Sequence, residues 1–165
     1  MDRAAHLGDR PGLGGSKRPR GAFEIVALAA SAGGLQALSH VLAAIPQEFP
    51  AAIVVVQHLD PRHRSLMAEI LSKRTPLPVK QAQEGDALVP GAAYIAPPDR
   101  HLLVNPDGTL SLSQSELVHF VRPSADLLFE STAASFKDRA IAVVLSGSGS
   151  DGSMGVRAIK KWVER

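Results

Sequence analysis

Three apolar runs along the chain each end on a residue able to do chemistry. They are Ile25-Val26-Ala27-Leu28-Ala29-Ala30 before Ser31, Ile53-Val54-Val55-Val56-Gln57 before His58, and Ile141-Ala142-Val143-Val144-Leu145 before the turn that holds Asp151. Continuous β-branched and aliphatic runs of this length, without polar alternation, predict strands of a parallel sheet covered on both faces. Between the first two, Leu35, Leu38, Val41 and Leu42 recur at helical spacing after Gly33-Gly34, predicting a helix over 34–44 that Pro46 and Pro50 end. A second helix is expected to open at Pro61 and carry Leu66, Met67, Ile70 and Leu71 on one face, stopped by Pro76 and Pro78.

The pattern changes over residues 79–113. Short apolar pairs alternate there with Gly-Asp, Pro-Gly, Pro-Pro and Pro-Asp-Gly, which predicts short strands, partly antiparallel, with a hairpin at Asp107-Gly108. Residues 114–122 read as a polar loop. Ser124 is placed to cap a helix running to about 137, and a strand over 140–146 and a helix over 153–163 follow. The first strand is expected over 23–30 and the second over 52–57. The order β-α-β-α, a β-rich middle, then α-β-α predicts a doubly wound, mostly parallel, Rossmann-like sheet with helices on both faces and a short antiparallel insertion.

Composition narrows the chemistry. The 165 residues include no cysteine, which removes disulfides, thiolate metal sites and a cysteine nucleophile together. The formal charge of +2 is unevenly spread: residues 1–20 hold five Lys/Arg against Asp2 and Asp9, leaving the remainder at −1. A folded part without net positive charge argues against a nucleic-acid surface. The basic, aperiodic residues 1–22 read as a disordered tail. There is no stretch of about 18 apolar residues that would span a membrane, and no long apolar core of a secretory signal. The six histidines show no metal-ligand spacing, and His40, His63 and His119 read as surface residues.

In open α/β sheets, reactive groups gather at the carboxyl ends of the strands. Were the three strand ends adjacent, Ser31, His58 and Asp151 would meet as nucleophile, base and the base's orienting acceptor. Taken singly, each residue has a plainer reading. Ser31 with Gly33-Gly34 could start a phosphate-binding helix, His58 could be a hydrogen-bonded strand-end histidine, and Asp151 could cap the last helix. The joint occurrence favours catalysis.

Five words in order carry a family resemblance: Ala30-Ser31-Ala32-Gly33-Gly34, Val56-Gln57-His58, Tyr94-Ile95-Ala96-Pro97-Pro98, Arg122-Pro123-Ser124-Ala125-Asp126 and Leu145-Ser146-Gly147-Ser148-Gly149-Ser150-Asp151-Gly152. Through them residues 23–163 resemble the catalytic domain of the chemotaxis-type protein-glutamate methylesterases, the CheB-type family. The resemblance implies Ser31 as nucleophile, His58 as base and acid, and Asp151 as the orienter. It implies oxyanion or cleft roles among Ala32, Gly33, Gly147, Ser148 and Gly149, with His101 lining the cleft. It further implies hydrolysis of glutamate methyl esters, and deamidation of glutamines, on membrane-bound chemoreceptors or related sensor proteins, in the cytoplasm and without cofactor or metal. Ala32 stands where many chemotaxis members carry Thr, and Ser148 where many carry Met. In this the chain looks more like the methylesterase domains fused to methyltransferase and sensor-kinase modules, which suggests such modules as partners in trans. The expected organisation is a basic tail, 1–22, and a methylesterase domain, 23–165, shortened at its C-terminal end relative to the family. That shortening supports a competing expectation, a non-catalytic regulatory or interaction fragment of a larger signalling protein.

Overall fold

A five-stranded parallel sheet forms the centre of the computed structural model, which describes residues 22–58, 65–118, 120–147 and 150–164. Its strands are β1 (Ile25–Ala30), β2 (Ala52–Gln57), β3 (Val79–Gln81), β4 (Ala93–Ile95) and β7 (Ala140–Val144), in the order β3-β4-β2-β1-β7. A separate antiparallel pair, β5 (His101–Val104) and β6 (Leu110–Ser113), packs beside it. The helices are α1 (Gly34–Ala44), α2 (Met67–Ser72), α3 (Ala125–Phe136) and α4 (Ser153–Val163), and a 3-10 turn, Lys137–Arg139, leads into β7.

The sheet is apolar on both faces because β2 alternates between two buried environments. Ile53 and Val55 pack with Leu38, Leu42, Met67 and Leu71 on the α1 and α2 side. Val54 and Val56 pack with Leu128, Phe129 and Ile159 on the α3 and α4 side. Every residue of β2 is buried, so the run reads as uninterrupted hydrophobe in the sequence.

The short strands expected over residues 79–113 are present and partly antiparallel. The strands β3 and β4 run parallel to β2 and extend the main sheet, so only β5 and β6 form the antiparallel insertion. Their hairpin closes through Asn105 to Thr109 rather than through a tight Asp-Gly pair. The Asn105 N–H donates to the Thr109 carbonyl at 2.9 Å, Gly108 takes φ 81°, and Asp107 caps Thr109 N–H at 3.0 Å. The tail residues 1–21, Pro61 at the expected start of the second helix, and His63 and His119 lie outside the described residues. Described α2 begins at Met67.

Strand order sets the position of the site. From β1 the chain passes to β2 on one side and returns as β7 on the other. Such a reversal leaves a crevice beyond the carboxyl ends of the flanking strands. The segments after β1, β2 and β7 all emerge there.

Candidate active site

Each strand end supplies its residue through a different local device. The ladder between β1 and β2 runs to Ala30 opposite Gln57, and the His58 N–H donates to the Ala30 carbonyl at 3.1 Å. Ser31 is the next residue on β1. Its chain then turns through Gly33, at φ 72°, into α1. On the other side, Leu145 N–H still donates to Ala29 at 2.8 Å, and the Ser31 N–H donates to Ser146 Oγ at 3.0 Å. That last bond ends the strand expected to reach 146: β7 stops at Val144, and the Ser146 side chain replaces the next rung.

His58 Nε2 lies 2.8 Å from Asp151 Oδ2. Asp151 does not cap α4, the helix it precedes. It caps α3 from across the cleft: Ala125 N–H donates to Oδ2 at 2.6 Å, Asp126 N–H to Oδ1 at 3.0 Å, and the Ser124 hydroxyl to Oδ1 at 2.8 Å. Burial would raise the carboxyl's pKa. The donations from His58, Ala125, Asp126 and Ser124 outweigh it and hold the group down at about 2. The positive end of α3 adds to the same effect. An ionised Asp151 is an acceptor only, so His58 Nε2 carries its hydrogen and Nδ1 is the ring nitrogen left for another partner. Among the described residues no hydrogen bond joins Ser31 Oγ to His58; such catalytic bonds tighten only in the Michaelis complex.

Ser31, His58 and Asp151 line one cleft of about 360 Å³, with Ser146, Gly147, Val121 and Val144 on its walls and Phe120 at its edge. Phe120 is 94% exposed and takes φ 64°, held in a turn by the paired bonds between Val118 and Val121. Arg122 secures the base of that turn on Asp99 and on the carbonyls of Gln114 and Ser115.

The other sequence-derived candidates separate. Gly147 faces Ser31: a Cβ built on it would lie 3.6 Å from Ser31 Cβ. Ala32 is exposed in the turn, and Gly33 borders the neighbouring groove. Ser148 and Gly149 lie outside the described residues. His101 does not line the cleft. It is fully buried, accepts the Ser124 N–H on Nδ1 at 3.1 Å and donates from Nε2 to the Glu116 carbonyl at 2.9 Å. It thus fixes the start of α3, the same turn that holds Asp151. Among the described residues no group of three His, Cys, Asp or Glu is gathered as a metal would need.

A model of the CheB methylesterase family matches residues 26–163. The chain belongs to the CheB methylesterase family. A putative protein-glutamate methylesterase/protein-glutamine glutaminase of Leptospira interrogans serovar copenhageni is 39% identical over 139 residues, covering 84% of this chain and 72% of that protein. The protein-glutamate methylesterase FrzG of Myxococcus xanthus is 40% identical over 144 residues, 87% of this chain but 43% of its own length. The crystal structure of the Thermotoga maritima CheB methylesterase catalytic domain superposes with a TM-score of 0.80 at 36% identity, covering 86% of this chain and 76% of that one.

Within this CheB-family site, several contributors escape a reading of single motifs. Ser146 and Ser124 act on Ser31 and Asp151 through hydroxyls that look like ordinary turn and cap residues. Gly155 lets α4 approach α3: its Cβ would fall 2.4 Å from Phe129 Cβ and 3.0 Å from the Asp126 carbonyl. The Gly155 N–H donates to Asp126 Oδ1 at 2.8 Å. Ser146 shares a short word with Asp151 and Ser124 stands in a word of its own, whereas Gly155 lies beyond the last of the five words.

Proposed function

We propose that this chain is a serine hydrolase that cleaves γ-methyl esters of glutamate side chains on chemoreceptor-like signalling proteins, and the amides of glutamines at such positions. The observation that carries this reading is the convergence of Ser31, His58 and an ionised Asp151 in one cleft. The names of the relatives agree with it. A helix cap alone has no need of His58 on the same carboxylate beside Ser31, and this favours catalysis over the non-catalytic reading.

In the proposed sequence, His58 Nδ1 takes the Ser31 proton as Oγ attacks the ester carbonyl. Asp151 stabilises the imidazolium that forms. Ala32 follows Ser31 in the chain and Gly147 packs against Ser31, and their backbone N–H groups meet no acceptor among the described residues. They are the donors assigned to the tetrahedral oxyanion. Collapse returns the proton to the departing methoxide, giving methanol and an acyl-enzyme on Ser31. Water, deprotonated by the same imidazole, attacks the acyl carbon and releases the free carboxylate. Glutamine follows the same path with ammonia as leaving group. No step calls on a metal or organic cofactor. The substrate would be a methylated receptor or sensor protein met at the cytoplasmic face of the membrane, with a methyltransferase or sensor-kinase module as partner in trans. No helix among the described residues is long and apolar enough to cross a membrane itself.

The test is methanol release from a receptor cytoplasmic fragment methylated in vitro. Wild type should release it and Ser31→Ala should not. Equal release by both would remove Ser31 from the mechanism.

A further inference from the structure

Gln57 is one of the few buried polar side chains in the sheet, 6% exposed, and it stands directly before His58. Its Nε2 donates to two carbonyls, that of Ser31 at 2.8 Å and that of His58 at 3.2 Å. Since both partners are pure acceptors, the end of the amide facing them must be the NH2. The opposite end, Oε1, is buried without a hydrogen-bond partner among the described residues. It faces Gly34, where a Cβ would lie 1.7 Å from Oε1, 2.6 Å from Cδ and 2.8 Å from Ala30 Cβ.

A buried acceptor left unpaired costs stability, and an aliphatic chain would fill the same volume without that cost. What the amide provides and an aliphatic chain lacks is a pair of N–H groups. They sit where the β1–β2 ladder has run out: the last backbone rung joins His58 to Ala30, and beyond it the two chains part. One NH2 group therefore ties the two residues proposed as nucleophile and base, after the strands cease to do so. Gln57 is absent from the walls of the catalytic cleft; it borders the neighbouring groove together with Ser31, and its N–H groups are spent on main-chain carbonyls.

We propose that Gln57 is a positioning residue that sets the separation of Ser31 and His58 by clamping both carbonyls, and that Gly34 is required because only a residue without Cβ leaves room for the clamp. This rests on the reading of Ser31 and His58 given above. A misplacement of about 1 Å between reacting groups is worth up to roughly 100-fold in rate.

The experiment uses the full chain and two readouts: the second-order rate of Ser31 phosphonylation by a fluorophosphonate, and steady-state hydrolysis of a short peptide bearing a glutamate γ-methyl ester. Gln57→Met, matched in length and lacking N–H donors, should slow both labelling and kcat by roughly 10- to 100-fold, with KM within about twofold of wild type. Gly34→Ala favours helix at α1 and keeps Gln57, yet should produce the same loss by displacing the amide. In the double variant Gln57→Ala/Gly34→Ala the rate should fall no further than in Gln57→Ala alone, because both changes act on one contact. Wild-type labelling and kcat in Gln57→Met, or additive losses in the double variant, would overturn the clamp. If wild type labels at Ser31 but releases no methanol, the methylesterase reading fails while the labelling ratios still decide the clamp.

Discussion

Replacing Asp151 by Asn tests the most heavily bonded group in the site. Four donors converge on the carboxylate, two on each oxygen. An amide can satisfy one pair only. With its NH2 on the Oδ2 side it would oppose the Ala125 N–H. On the Oδ1 side it would oppose the Asp126 N–H, while the Ser124 hydroxyl could rotate to accept. The second orientation leaves a single backbone N–H unpaired, at a cost of about 1–3 kcal/mol. The charge term is of similar size: held at about 2 against an ordinary 3.8, the ionised carboxyl contributes about 2 kcal/mol to the folded state at neutral pH. Its pKa is depressed in the folded chain, so that contribution is present above pH 3.8 and is lost as pH falls through about 2. The two terms overlap, because the lowered pKa already counts the bond from Asp126, so urea unfolding should show Asp151→Asn less stable by about 2–3 kcal/mol at pH 7, with the gap narrowing between pH 4 and pH 2. In ester hydrolysis, loss of the negative partner to the imidazolium should lower kcat/KM by roughly 10²- to 10⁴-fold. A stability gap that is constant down to pH 2, or a kcat/KM within threefold of wild type, would refute the reasoning.

Two further outcomes are expected. Gly155→Ala should destabilise the fold by about 1–3 kcal/mol of overpacking and so lower the thermal midpoint, because the new methyl meets Phe129 and the Asp126 backbone; an unchanged midpoint in a melt followed by circular dichroism would show that α3 and α4 part at no cost. His101→Leu should cost about 1–3 kcal/mol in urea unfolding, since it strands the Ser124 N–H and the Glu116 carbonyl, and should leave the KM for a small ester unchanged; a raised KM with intact stability would return His101 to the cleft.

Much of this arrangement is legible in the chain because burial on two faces writes itself as unbroken apolar runs. Those around Val54 and Leu28 mark strands, and Leu35, Leu38 and Leu42 mark the helix beside them. The three strand-end residues follow from the same runs. What is not legible is lateral order. Nothing local in Ala93-Tyr94-Ile95 tells a parallel neighbour of β2 from an insertion, since three buried residues suit either. Nor does the local sequence Ser150-Asp151-Gly152 reveal that Asp151 caps α3 rather than α4: two of the donors that hold it are the backbone N–H groups of Ala125 and Asp126, far earlier in the chain, and backbone is identical at every position. His101 shows the same limit. A histidine beside a family loop suggests a cleft residue, whereas its two ring nitrogens are both spent on main chain. Gln57 and Gly34 look like a strand end and a helix start, and their mutual fit exists only once β1 and β2 lie side by side.

The central claim is that Ser31, served by His58 and Asp151, is the nucleophile. Its most direct test is to treat the protein with a fluorophosphonate and locate the adduct by tandem mass spectrometry, in wild type and in His58→Gln. The account predicts a single adduct on Ser31 in wild type and a rate lower by orders of magnitude in His58→Gln. An adduct on Ser146 or Ser150, or Ser31 labelling at the same rate without the imidazole, would contradict it.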